Sequence, residues 1–122
     1  MGLDVDLVKF DKAFYDSVKG PDGKVDYHDG HKHYKKLGYW RKHYDVRDLL
    51  ADRCDLRHDQ CDFGELSRLD LKKVLRQAMR KKQIHPGVDI DRDEMRALIP
   101  VLRKTLHQVN FHTETVALSW IS

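Results

Sequence analysis

The chain has 122 residues, 40% hydrophobic and 35% charged, with 23 Lys and Arg against 20 Asp and Glu for a formal net charge of +3. That length fits one domain with one real core over residues 1–122, and the apolar content excludes a disordered tail or linker. A charge excess this small does not demand a nucleic-acid partner, so any electrostatic function must come from clustering.

Leu3, Val5 and Leu7 alternate with Asp4 and Asp6, which predicts a first strand with one apolar face, Phe10 extending its buried side. Asp11 would cap a short helix to about Val18, and Gly20-Pro21-Asp22-Gly23 is a strong turn signal. From Lys24 to Lys36 no period is visible, so the stretch reads as a surface loop. The aromatic content of Gly38 to Lys42 predicts a short strand or a strand-to-helix junction. Asp45 is a plausible N-cap for a helix with Val46, Leu49, Leu50 and Cys54 on one face. After a loop over 55–64, Glu65 to Leu69 reads as a strand. Leu71, Val74, Leu75, Ala78 and Met79 then form the clearest helical stripe, over 70–82, with Asp70 as N-cap or first-turn acid. A further helix starts near Asp91 and buries Met95, Leu98, Ile99, Leu102, Leu106 and Val109; Pro100 inside it predicts a kink or a division into two helices. Thr113 to Ile121 closes the chain as a strand alternating Val116, Leu118 and Trp120. This order predicts an α+β fold, a small mainly antiparallel sheet of about three or four strands packed by about three or four helices.

No segment approaches the roughly 18 apolar residues of a membrane span. The start lacks the basic-then-apolar run of a signal peptide, and Asp6 stands where a myristoylation motif wants Ser or Thr. With only Cys54 and Cys61, nothing calls for an oxidising compartment, and a cytoplasmic location is expected.

Met1-Gly2-Leu3-Asp4, Tyr39-Trp40-Arg41-Lys42 and the late Ser119-Trp120 occur together. In this the chain resembles a family of small uncharacterised proteins of tailed phages and prophages, which open Met-Gly-Leu-Asp, carry Tyr-Trp-Arg-Lys and finish on a Ser-Trp strand. It departs from them in carrying Asp6 where an aromatic or apolar residue is expected, and in lacking a second Trp after Lys42. The resemblance implies a setting in a host cytoplasm and no chemistry. Accessory proteins of that kind commonly bind a host macromolecule, a defence component included.

Four constellations could carry a function. Cys54, His58 and Cys61 have a spacing that zinc could use with a fourth ligand from His28, His31, His33 or His43; the bland alternative is two apolar fillers and an exposed imidazole. Asp26, His28, Asp29, His31 and His33 could form a metal-dependent hydrolytic centre, against a plain solvated loop. Lys32, Lys35, Lys36, Arg41, Lys42 and Arg47 interleave with Tyr34, Tyr39, Trp40 and Tyr44, and the helix over 70–82 adds Lys72, Lys73, Arg76, Arg80, Lys81 and Lys82. That set suits phosphate contact and base stacking, although cations opposite an apolar stripe are also what any solvated helix shows. The same aromatic and Arg residues suit a protein interface. The expectation is therefore a binding protein with no catalytic residues, no required cofactor and a host or viral protein as partner. Its surface would comprise Tyr39, Trp40, Arg41, Lys42, Tyr44, Lys73, Arg76 and Arg80. Nucleic acid is the alternative partner and the histidine-centred hydrolase a further alternative.

Overall fold

A computed structural model describes residues 2–54, 56, 62–84 and 89–121, the side chains at 82–84 and 89–92 excepted. Among them the elements run β1 (Asp4–Asp11), α1 (Lys12–Val18), α2 (Tyr27–Gly30), β2 (Lys35–Arg41), α3 (Tyr44–Cys54), β3 (Gly64–Leu66), α4 (Arg68–Ile84), α5 (Asp89–Gln108) and β4 (Glu114–Ile121). The strands form one antiparallel sheet in the order β2-β1-β4-β3, so the chain is an α+β fold as expected.

Alternation assigns each side chain of β1 to one sheet face. Leu3, Val5 and Leu7 join Val116, Leu118 and Trp120 in the main core, which α3, α4 and α5 cover with Val46, Leu50, Leu71, Val74, Ala78, Met95, Leu98 and Leu102. Phe10 does not extend that face. Its even position sends it with Val8 to the opposite one, where Ala117, Phe63, Tyr15 and Val25 make a second, aromatic core. β4 is therefore buried on both faces from Thr115 to Trp120 instead of alternating with solvent. The rest of that second face carries Asp4, Asp6, Tyr39, Arg41, Ser119 and Ile121, with no helix packed on it among the described residues. Asp6, the departure from the phage pattern, lies there.

Several boundaries differ from the sequence reading for local reasons. The 24–36 stretch is not structureless: Val25 bridges Phe63, one turn of helix follows, and β2 begins at Lys35. Asp26 caps that turn by accepting from the His28 N–H, and Tyr27 stacks on Phe63 at 6.1 Å. Irregularly spaced aromatics, Tyr27 and Tyr34, anchor this largely exposed segment to the second core, so no hydrophobic period marks it. The carboxylate of Asp45 is not the N-cap of α3, since Asp45 already lies in the first turn; its N–H instead donates to Glu94 of α5 (3.0 Å). β3 ends at Leu66 because Ser67 and Asp70 form a reciprocal capping box, at 2.9 and 3.1 Å, that starts α4 at Arg68.

Pro100 neither divides α5 nor ends it. Proline withholds the backbone donor that the carbonyl four residues back, that of Arg96, would accept. The neighbouring Ala97 carbonyl accepts from the Trp40 indole N–H (3.2 Å), which ties this turn of α5 to β2. Gly38, one residue before Tyr39 on the same strand, permits that approach: a Cβ there would lie 2.7 Å from Val101 Cγ1 and 2.9 Å from the Trp40 ring. Replacing Gly38 by Ala should cost about 1–3 kcal/mol by overpacking. Trp40→Ala should cost about 3–5 kcal/mol by opening a cavity. Urea denaturation of the two variants measures both; unchanged midpoints would mean that α5 does not depend on this contact.

Candidate functional site

The segment proposed from sequence as one basic-aromatic surface is divided by the strand pleat. Trp40 is 4% exposed and faces α5, so it presents no ring to a partner, and its place in the expected surface is corrected to the core. Tyr39 points the opposite way and is 50% exposed. Its hydroxyl donates to the Asp4 carboxylate (2.5 Å), and that bond holds the phenol above its ordinary pKa. The Lys36 ammonium sits 5.2 Å from the Tyr39 ring and 3.3 Å from Asp6 Oδ1. The second contact lacks hydrogen-bond geometry, so it is an ion pair only, and Asp6 Oδ1 is otherwise unpartnered among the described residues.

Arg41 shares the Tyr39 face through its pairing with Asp4. Lys42 follows in a left-handed conformation (φ 60°), its N–H donating to the Leu3 carbonyl (2.6 Å). A non-glycine residue held there stores roughly 1–2 kcal/mol of strain. Tyr44, half-exposed at the start of α3, lies under the Arg47 guanidinium at 5.4 Å, which also sits 5.9 Å from the Trp120 ring.

The cations of α4 are organised differently. Arg68, Lys72, Arg76 and Arg80 recur every fourth residue, so they share one helix face, with Lys73 and Lys81 beside them. All six are exposed, and none makes an ion pair among the described residues. Seven Lys and Arg against the single Asp70 give α4 a formal charge of +6, twice the net charge of the whole chain. Asp70 is committed to the capping box at the helix start. Three successive like-charge pairs at i,i+4 each oppose an isolated helix by about 0.2–0.5 kcal/mol. The helix stands because Leu71, Val74 and Ala78 are buried on its other side. From Arg68 to Arg80 the stripe is about 18 Å long at 1.5 Å per residue.

Lys73, Arg76 and Arg80 therefore do not form one surface with Tyr39. They belong to the helical layer on one face of the sheet, and Tyr39 lies on the other. The two halves of the expected binding surface are separate.

The histidine segment serves packing. His31 stacks on Tyr27 (5.1 Å between ring centroids), and its Nδ1 lies 3.1 Å from the Tyr27 carbonyl oxygen. His33 lies on Phe14 (4.2 Å), while Asp26 is committed to its cap. No group of three or more His, Cys, Asp or Glu side chains suited to a metal ion occurs among the described residues. His58 and Cys61 lie outside them. Cys54 is mostly buried on α3, its thiol donating weakly to the Leu50 carbonyl (3.6 Å), and burial pushes its pKa up to about 11.

No family model matches the chain, and neither curated proteins nor solved structures return a match.

Arg68 escaped the sequence reading because the helix start was placed at Asp70. The Ser67-x-x-Asp70 pattern was the available signal, and it moves the first cation of the stripe inside the helix. For Cys54, the thiolate is the reactive species, so a raised pKa slows alkylation. In a Cys61→Ser background at pH 8, iodoacetamide should label Cys54 more than tenfold slower in the native protein than in urea. Equal rates would place that thiol in solvent.

Proposed function

We propose that the protein acts by binding nucleic acid, laying the outer face of α4 along the phosphate backbone. One observation carries this: six exposed cations on one helix, four of them in register, with no carboxylate paired to any among the described residues. On ordinary solvated helices, cations are interleaved with acids that offset them. Here the repulsion is retained along the helix, which favours a polyanionic partner. Lys and Arg contacts to phosphate read no base edges, so the binding would be largely independent of sequence and strongly dependent on salt. In the phage or prophage setting that the sequence resemblance implies, it would occlude host or viral nucleic acid in the host cytoplasm.

A second reading rests on the uncovered part of the sheet. Tyr39 and Ile121, each 50% exposed, flank Asp4 there, and aromatic and apolar groups of this kind suit a protein partner. A host protein seated on that face would survive nuclease treatment in a pull-down and would be lost on Tyr39→Ala together with Ile121→Ser.

Fluorescence anisotropy with labelled single-stranded and duplex oligonucleotides tests the first reading. At about 50 mM salt the native protein should bind with Kd in the micromolar range or tighter. Arg76→Glu together with Arg80→Glu should weaken binding more than tenfold at unchanged thermal stability, because both side chains are exposed and unpaired among the described residues. Equal affinity in that variant would remove α4 from the interface.

A further inference from the structure

A recess of about 210 Å³ lies where the start of β2 meets the last turns of α5, lined by Lys9, Lys35, Lys36, Lys104, Thr105 and Gln108 and by no acidic residue. We propose that it is a binding site for a phosphate monoester, distinct from the α4 stripe and independent of it.

The backbone creates the site. The ladder between β1 and β2 slips after Leu7, so that Leu7 faces Gly38 but Val8 faces Lys36, and Leu37 is the extra residue of a bulge. The slip sets Lys35 directly opposite Lys9. Like charges at directly opposed strand positions repel, and Lys104 of α5 adds a third cation to the same recess. Lys9 is compensated by Glu114 (2.8 Å), and the Lys36 ammonium turns away to Asp6 (3.3 Å). Lys35 and Lys104 have no ion-pair partner among the described residues.

Thr105 is the second observation. It lines the recess, and its hydroxyl makes no hydrogen bond among the described residues, so it stands open to a ligand there. Four ammonium groups against the two carboxylates of Glu114 and Asp6 leave an excess of two positive charges. Beside the Thr105 hydroxyl, that excess matches a group bearing about two negative charges and several acceptor oxygens, which is a phosphate monoester. The carboxyl end of α5 and Glu114 both oppose an anion here, so binding rests on the ammonium groups and the Thr105 hydroxyl acting together. A neighbouring recess of about 410 Å³ shares Lys9 and Lys35, is flanked by the His33 ring, and also carries Asp11 and Glu114, which keep the phosphate itself in the smaller recess. It has room for the organic part of the ligand. A free nucleotide and the 5′-terminal phosphate of a nucleic-acid strand present the same chemistry.

The test is an amide NMR titration at constant ionic strength with adenosine 5′-monophosphate, with adenosine and chloride as controls. Saturable shifts confined to Lys35–Leu37 and Lys104–Gln108 are expected for the monophosphate, with adenosine at least tenfold weaker. Lys35→Ala with Lys104→Ala should abolish saturation, and Thr105→Val should weaken binding several-fold with the native spectrum otherwise retained. The Arg76→Glu/Arg80→Glu variant should bind the monophosphate as the native protein does, whether or not α4 binds nucleic acid. A short 5′-phosphorylated oligonucleotide that binds at least tenfold tighter than the mononucleotide would identify a strand end as the source; equal affinity would identify the free nucleotide. Shifts that fail to saturate, that chloride reproduces, or that persist in the lysine double variant would overturn the proposal.

Discussion

The antiparallel pairing of β1 with β4 is the constraint to which the remaining elements are referenced. Its register runs from Asp4 opposite Ile121 to Asp11 opposite Glu114, so strands from opposite ends of the sequence lie side by side at the centre of the sheet. Loop-closure entropy for so distant a pairing is large, and the contact is secured by burial on both faces. On one side Val5, Leu7, Leu118 and Trp120 meet the helical layer, and on the other Val8, Phe10 and Ala117 meet the aromatic core around Phe63. β2 and β3 add only at the edges. The Trp40 contact to α5 and the capping box that starts α4 are positioned from those edges.

This layering separates charge. The helical side carries α4, whose formal charge of +6 leaves the remainder of the chain at −3 against the total of +3. Across the sheet, Asp22, Asp26, Asp29 and Asp62 gather in a cleft between the turn after α1 and α2. Burial, and then the charge of Asp26, hold the Asp62 carboxyl above its ordinary range. A polyanion approaching such a molecule is attracted to one side and repelled from the other, so the field orients the encounter before contact. The net charge of +3 conceals this, because the rest of the chain offsets half of the charge of α4.

Most of the fold was legible in the sequence wherever one period governed burial. The alternation in β1 and the stripe of Leu71, Val74 and Ala78 correspond to buried faces, and only Met79 falls at the solvent edge of its helix. What was not legible depends on partners far away in the chain. Glu94 capping α3, Trp40 serving the turn before Pro100, and His33 lying on Phe14 each need the fold before they have a reason. The candidate site was half legible for the same cause. The cations of α4 were visible as residues, but only the capping box fixes Arg68 in their row, and only the placed carboxylates show that none among the described residues pairs with them. The pairing of Tyr39 with Trp40 misled, because adjacent strand residues point to opposite faces.

The salt dependence of nucleic-acid affinity tests the central claim most directly, since it counts phosphates without reference to any particular variant. An 18 Å stripe runs past about five phosphates of one strand, which gives a slope of log K against log salt of about −4.5 on duplex DNA. A slope of that size, reduced by about two units in Arg76→Glu/Arg80→Glu, is the result the account predicts. A flat dependence, or a steep one that the substitutions leave unchanged, would contradict it and move the partner to the uncovered face of the sheet.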